Sequence, residues 1–314
     1  MNILVVGTVA YDAVETPEGR REKQLGGSAS YFATAASYFT ETGIVSVVGR
    51  DFEKTDRDLL TARGIDLSGV QVADGGTFRW SGQYRDDLNN AVTLQTQLNV
   101  LQTFAPKLSR EHAAAPYLFL ANIDPKLQHA VLDSMSARPA LVACDTMNLW
   151  IDIARDSLLN LMPRVDAMLI NEGEAKQLTG ERQLPKAAAK IIDTGLKTLI
   201  VKRGEYGAAL FNRDFGFAMP AFPLTRVIDP TGAGDSFAGG FMGYMAAVGD
   251  TSEEATRRAV VAGSVMASFT VEAFGLDRLA FLTVKEINAR FKAFESLMRF
   301  HPLGGGQGLP LKVG

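Results

Sequence analysis

Cysteine and histidine are nearly missing from this chain, and each scarcity closes off a class of chemistry. The 314 residues include one cysteine, Cys144, so no internal disulfide can form. None is needed, because a chain this long buries about 75% of its unfolded surface. A lone thiol fits a reducing cytoplasm, and Cys144 lies in the apolar run Leu141-Val142-Ala143-Cys144, packed in a strand rather than reactive. The histidines, His112, His129 and His301, are scattered with no partner at metal-ligand spacing and no nucleophile nearby. Neither sign of charge prevails: 32 Lys and Arg oppose 35 Asp and Glu. The net charge of −3 offers no footprint for nucleic acid or an anionic membrane. No apolar run can span a bilayer, since the uncharged stretch 88–106 is rich in Gln, Asn and Thr, and 236–249 is too short. Residues 1–7 lack a basic n-region and hold too short an apolar stretch for a signal peptide, so a soluble, cytoplasmic protein is expected. Two common nucleotide-binding signatures are absent as well. There is no GxxxxGK[ST] loop, and in Gly232-Ala233-Gly234-Asp235-Ser236-Phe237 a phenylalanine holds the place of the third dinucleotide-site glycine.

What remains is an alternation of apolar runs and helix-like stretches. Runs at 3–7, 43–48, 117–121, 140–145, 167–170 and 199–201 read as buried strands. Helical patterns at 27–39, 125–135, 152–161, 172–179 and 184–193 separate them, and helices at 234–248, 252–271 and 284–299 fill the last third. That order predicts an α/β fold with a mostly parallel central sheet and helices on both faces. No internal repeat is present. One region breaks the pattern: residues 77–84 alternate strictly, with Phe78, Trp80 and Tyr84 on one face. After a polar loop at 85–90, residues 91–98 alternate again, with Val92, Leu94 and Leu98 together. Two such strands make a β-hairpin whose apolar face can cover a ligand, pair with a second subunit or pack on the body. The expected organisation is one domain over 1–300, with a lid insertion from about 8–25 and 72–105, and a flexible Gly-rich tail at 301–314.

The segment Val227-Ile228-Asp229-Pro230-Thr231-Gly232-Ala233-Gly234-Asp235 carries the strongest chemical signal. Glycines let an anion approach the main chain, and free N–H groups at a helix start attract phosphate. An acid beside that site, Asp235, contributes to chemistry by taking a proton, as phosphoryl transfer to an alcohol requires. Ordinary helix capping accounts for the same residues taken alone. Four more clusters are read in the same two ways. Gly26-Gly27-Ser28-Ala29-Ser30 enters an apolar helix; Ser30 replaces the last glycine of a GxSxG elbow, and no strand-like run immediately precedes it. Asp12 follows the first strand, where ligands sit in open α/β sheets, and could accept sugar hydroxyls or lie in a surface loop. Asn171 and Glu174 share a face at a helix start and suit magnesium through water, or else form a capping box. Lys202-Arg203-Gly204-Glu205-Tyr206-Gly207 is either a hairpin turn or a phosphate-neutralising loop.

In this order the motifs resemble the ribokinase-like family of sugar and nucleoside kinases, the group that includes the phosphofructokinase-B type. The resemblance runs from Asn2 to near Arg299, and Asp-Pro-Thr-Gly-Ala-Gly-Asp is its most specific element. It implies a kinase that uses ATP and Mg2+ on a small sugar or sugar derivative, with a nucleoside as the alternative acceptor and a catalytically silent sensor as the third reading. Neither nucleic acid nor membrane is implied as a partner. Asp235 would be the base, and the amides of Gly232, Ala233 and Gly234 the anion hole. Asn171 and Glu174 would place magnesium through its water shell. Lys202, Gly204, Gly207 and Thr231 would serve the ATP phosphates. Asp12, Gly26 and Gly27 would hold the acceptor. Members often have a monovalent-cation site, K+ for example, whose position Asp229 and Thr231 match. The family's β-type lid corresponds to the hairpin, through which a homodimer could form. The helix start is expected to keep Asp235 ionised near neutral pH. One departure concerns the acceptor: where many members have an asparagine that contacts the sugar, this chain has Tyr31, which argues against a ribose-type pocket.

Overall fold

A computed structural model describes residues 1–299, so the tail expected at 301–314 lies outside the described residues. In chain order the strands are β1 (Ile3–Val6), β2 (Ala10–Thr16), β3 (Gly19–Gly26), β4 (Thr42–Gly49), β5 (Asp66–Ala73), β6 (Phe78–Gln83), β7 (Val92–Gln97), β8 (Tyr117–Leu120), β9 (Leu141–Cys144), β10 (Ala167–Asn171), β11 (Thr198–Lys202), β12 (Ala208–Phe211) and β13 (Gly216–Met219). The helices are α1 (Ser28–Ala36), α2 (Lys54–Ala62), α3 (Pro125–Asp133), α4 (Asn148–Ile153), α5 (Arg155–Leu161), α6 (Glu172–Thr179), α7 (Leu184–Ile192), α8 (Ala233–Val248), α9 (Glu253–Thr270) and α10 (Val284–Met298).

A nine-stranded sheet in the order β13-β12-β11-β10-β9-β8-β1-β4-β5 forms the body. Its pairings from β5 to β11 are parallel, and β12 and β13 close one edge antiparallel. Strand alternation divides two cores. Ile3, Val5, Ala167 and Leu169 face α1, α8 and α9 on one side, while Leu4, Val6, Met168 and Ile170 face the side of α5, α6 and α7. This is the expected α/β fold with helices on both faces.

Helix α8 runs deep between α1 and α9 because small residues line it. A Cβ built on Gly239 would stand 2.2 Å from the carbonyl oxygen of Phe32 in α1, so the two backbones touch. Both helices begin at the same end of the sheet, where the site lies.

The second sheet has the order β3-β2-β6-β7. The hairpin read from the sequence is there as antiparallel β6 and β7, beside β2 and β3. Here two readings are corrected. Residues 19–26 form a strand directly before the Gly26-Gly27 turn, hidden because Arg20, Arg21, Glu22 and Lys23 are exposed on the sheet's edge. Asp12 lies inside β2 rather than in a loop. Strand β5 and helix α2 were not anticipated; α2 is mostly polar, with Leu60 its one buried residue. The helix expected at 152–161 is two short ones, α4 and α5, broken at Ala154.

Candidate active site

The carboxyl ends of three neighbouring strands supply one wall. Asp145 follows β9, Asn171 ends β10 and Lys202 ends β11, with Asn171 and Lys202 in register. Lys202 Nζ donates to Asp145 Oδ2 at 2.9 Å, and this pair is largely buried. Burial works against the ammonium, but Asp145, Glu174 and Asp235 outweigh it and hold Lys202 charged, above its ordinary range. Asn171 and Glu174 form the capping box of α6: Glu174 N donates to Asn171 Oδ1 and Asn171 N to Glu174 Oε2, both at 2.8 Å. Even so, Glu174 belongs to the cluster. Burial, then the charge of Asp145, pushes its carboxyl up to about 7 against the pull of Lys202. The capping box is thus formed, and its glutamate also stands among the acids around Lys202.

The second wall is the start of α8. Gly232 is its N-cap with φ 76°, a left-handed conformation that suits glycine, and Ala233, Gly234 and Asp235 make the first turn. Gly234 lies against Lys202, whose Nζ would be 3.0 Å from a Cβ there. At this end of the 16-residue helix the Ala233 amide donates to the Pro230 carbonyl at 3.2 Å, and the other first-turn amides are suited to an anion. The helix start does not by itself decide the ionisation of Asp235 near neutral pH. Burial, then the charge of Asp145, lifts its carboxyl to about 7 although Lys202 opposes the shift. Desolvation outweighs the helix dipole, whose effect is confined to a fraction of that energy.

The small sheet supplies the third wall. Asp12 on β2 is buried, its carboxylate against Gly26. Burial, with the charges of Asp229 and Asp235, pushes it up to about 8, partly offset by the Gly27 amide. Gly27 caps α1. Tyr84, just past β6, meets the phosphate-type turn through a 3.3 Å hydrogen bond from Thr231 Oγ1 to its hydroxyl. Asn89, in the loop after Tyr84, lies against Gly204 beyond β11. The sheet thus touches the body on both sides of the site. Gly207 closes the Lys202–Gly207 turn by accepting from the amide of Arg203 at 2.8 Å.

Asp229 is fully buried and already engaged. Oδ1 accepts from Thr231 N, and Oδ2 from Gln24 Nε2 and Gly275 N. Among the described residues no three His, Cys, Asp or Glu side chains form a direct metal cage. Asp145, Glu174 and Asp235 around Lys202 fit an ion held through water and phosphate. Sequence reasoning missed Asp145, which it left inside a strand. Its signal was present, because an acid at the carboxyl end of a buried parallel strand faces the ligand side of such sheets.

This fold and site define a phosphotransferase acting on alcohol groups. The chain belongs to the pfkB family of carbohydrate kinases, whose model matches residues 1–275. It is 31% identical over 250 residues to a cytidine kinase of Thermococcus kodakarensis, covering 78% of this chain and 88% of that protein. Its fold matches a Burkholderia thailandensis nucleoside kinase in complex with inosine, with TM-score 0.77 and 23% identity over 96% of this chain and 100% of the other. An Escherichia coli chain described as a ribokinase II, in complex with ATP and Mg2+, matches with TM-score 0.73 and 20% identity over 93% and 99%. The protein is therefore a ribokinase-family sugar or nucleoside kinase, and ATP and Mg2+ are consistent with that class. No helix among the described residues is long and apolar enough to cross a membrane.

Proposed function

We propose that this kinase transfers the γ-phosphoryl group of ATP to a hydroxyl of a nucleoside, with Asp235 as base. The observation that carries the reading is the meeting of Asp235, Lys202 and Asp145 at the start of α8. The acceptor's O–H gives its proton to the Asp235 carboxylate as its oxygen bonds to the γ-phosphorus, and the bond to the β–γ bridging oxygen breaks to release ADP. A carboxyl near 7 is a stronger base than an ordinary aspartate and is still about half ionised at neutrality. The proton moves late in a loose transition state, so positioning and fixed donors supply most of the acceleration. The amides of Gly232 and Gly234, with Ala233 once its bond to the Pro230 carbonyl is exchanged, would meet the charge that develops on the moving group, and Lys202 with Gly204 and Gly207 would serve the phosphates. Magnesium, held by Asp145 and by Asn171 and Glu174 through water, would supply charge neutralisation.

Two observations favour a nucleoside over a free sugar, while Tyr31 in place of the sugar-contacting asparagine weighs equally on free ribose and on a ribosyl group. A cytidine kinase is 31% identical over 88% of its length, whereas a ribokinase and a 2-dehydro-3-deoxygluconokinase are 26% identical over 72% and 73% of theirs. In β2 and β6, Asp12 is in register with Trp80, so an indole stands on the strand pair that also presents the acceptor-side carboxyl. Nucleosides and free sugars offered in parallel with ATP, with products identified by mass, test the proposal. Nucleoside monophosphates are expected. Sugar phosphates alone would move the acceptor to the second reading, a free sugar, and no phosphorylated product would leave a ligand sensor. Asp235→Asn should abolish turnover and retain nucleotide binding; a variant with ordinary kcat refutes the base.

A further inference from the structure

We infer that Tyr31 is a positioning residue that braces the anion turn with its ring and offers its hydroxyl to the acceptor. The inference rests on the kinase reading above. Tyr31 lies in the first turn of α1 and is 1% exposed. A Cβ built on Gly232 would stand 2.4 Å from Cδ1, Cδ2 and Cε2 of its ring, so the face of the ring lies flat against Gly232. Gly232 is the left-handed N-cap of α8, and the amides after it take their direction from its conformation. The aromatic plate therefore sets where those donors point. Aromatic rings suit this task, because they present a rigid face with few rotatable bonds.

The other end of the same side chain is unused. The Tyr31 hydroxyl is buried and has no protein hydrogen-bond partner. Buried hydroxyls are nearly always partnered, and exceptions concentrate at functional sites. Its surroundings are otherwise occupied: Asp229 accepts from Gln24, Thr231 and Gly275, and the Tyr84 hydroxyl is taken by Thr231. Burial and the charges of Asp229, Asp12 and Asp235, with Tyr84 nearby, hold the phenol well above its ordinary range. It stays protonated and remains a donor across the working pH range. The oxygen it addresses is one on the acceptor, a non-reacting hydroxyl or ring oxygen placed between Asp12 and Asp235. Tyr31 would then touch both halves of the reaction, and an acceptor without that oxygen would leave a buried donor unmet.

Two substitutions separate the two roles. Tyr31→Phe keeps the plate and removes the hydroxyl. Acceptor KM should rise about tenfold, and the affinity for a non-hydrolysable ATP analogue should stay within about twofold of the parent. Tyr31→Met replaces the plate with a flexible chain. Affinity for the analogue and kcat should each fall about tenfold or more, with a cooperative thermal transition retained. If Tyr31→Met does not fold, Tyr31→Leu takes its place. Methionine or leucine binding the analogue as the parent does would overturn the brace. Phenylalanine leaving acceptor KM unchanged would overturn the hydroxyl's role. The analogue measurement needs no turnover, so it reads the brace even if the unsubstituted protein phosphorylates no acceptor, which is the separate failure of the functional reading.

Discussion

Replacing Asp235 with asparagine should stabilise the nucleotide-free protein, and only where the carboxyl would otherwise be charged. The fold holds this group at about 7, against an ordinary aspartate value near 4. Below about pH 4 it is protonated in folded and unfolded chains alike and contributes nothing. Between about pH 4 and 7 the unfolded chain releases the proton and the folded chain keeps it, so stability falls as pH rises. Above about pH 7 the whole penalty is present. A gap of about three units at 1.36 kcal/mol each sets a ceiling of about 4 kcal/mol. Asp235 is only partly buried, so solvent screening trims this to about 2 kcal/mol. Asparagine carries no charge and escapes the penalty. For a chain of this size about 2 kcal/mol is worth about 4 °C in melting temperature. Thermal denaturation of both proteins without nucleotide, at about pH 5 and about pH 8, measures the effect. The variant should melt about 4 °C higher at the upper pH and about 1.5 °C higher at the lower one, where about a third of the penalty is present. An equal gain at both values, or a loss at pH 8, would refute the assignment of a destabilising buried charge.

Two further outcomes follow from the same geometry. Lys202→Met leaves Asp145 buried without its partner and should cost about 3–5 kcal/mol of stability. It should also shift the acid limb of the kcat/KM–pH profile about one unit upward, because Lys202 opposes the rise in Asp235; an unmoved limb would separate Lys202 from the base. Gly239→Ala would press a methyl onto the Phe32 carbonyl oxygen and should cost about 3 kcal/mol by chemical denaturation, whereas an unchanged midpoint would show that α1 and α8 can part.

The body of the fold was legible because its strands are continuous apolar runs buried on both faces. Every one of β1, β4, β8, β9, β10 and β11 was marked by such a run. Strand β3 escaped because its outer residues are charged and exposed, the composition of a surface segment. The turn at 229–235 was legible from its glycines and acid, but the ionisation of Asp235 was not. A helix start is a local property, whereas the burial that chiefly raises Asp235, and then the charge of Asp145, come from residues far away in sequence and close only in the fold. Glu174 shows the same limit: its capping role is local and readable, and its place in the acidic cluster is not.

The contact between Gly239 and the Phe32 carbonyl has a bearing on how substrates get in and out. Helices α1 and α8 are clamped backbone to backbone, so the Gly27 cap and the Gly232 turn at their tips keep a fixed separation, like two jaws welded at the hinge. Admission has to come from the one wall not fastened that way, the β2–β3–β6–β7 flap, which is held near the turn by side-chain hydrogen bonds: Gln24 to Asp229, Thr16 to the Ile228 carbonyl, and Thr231 to the Tyr84 hydroxyl. The pace of entry and exit is then a property of the flap rather than of the helices.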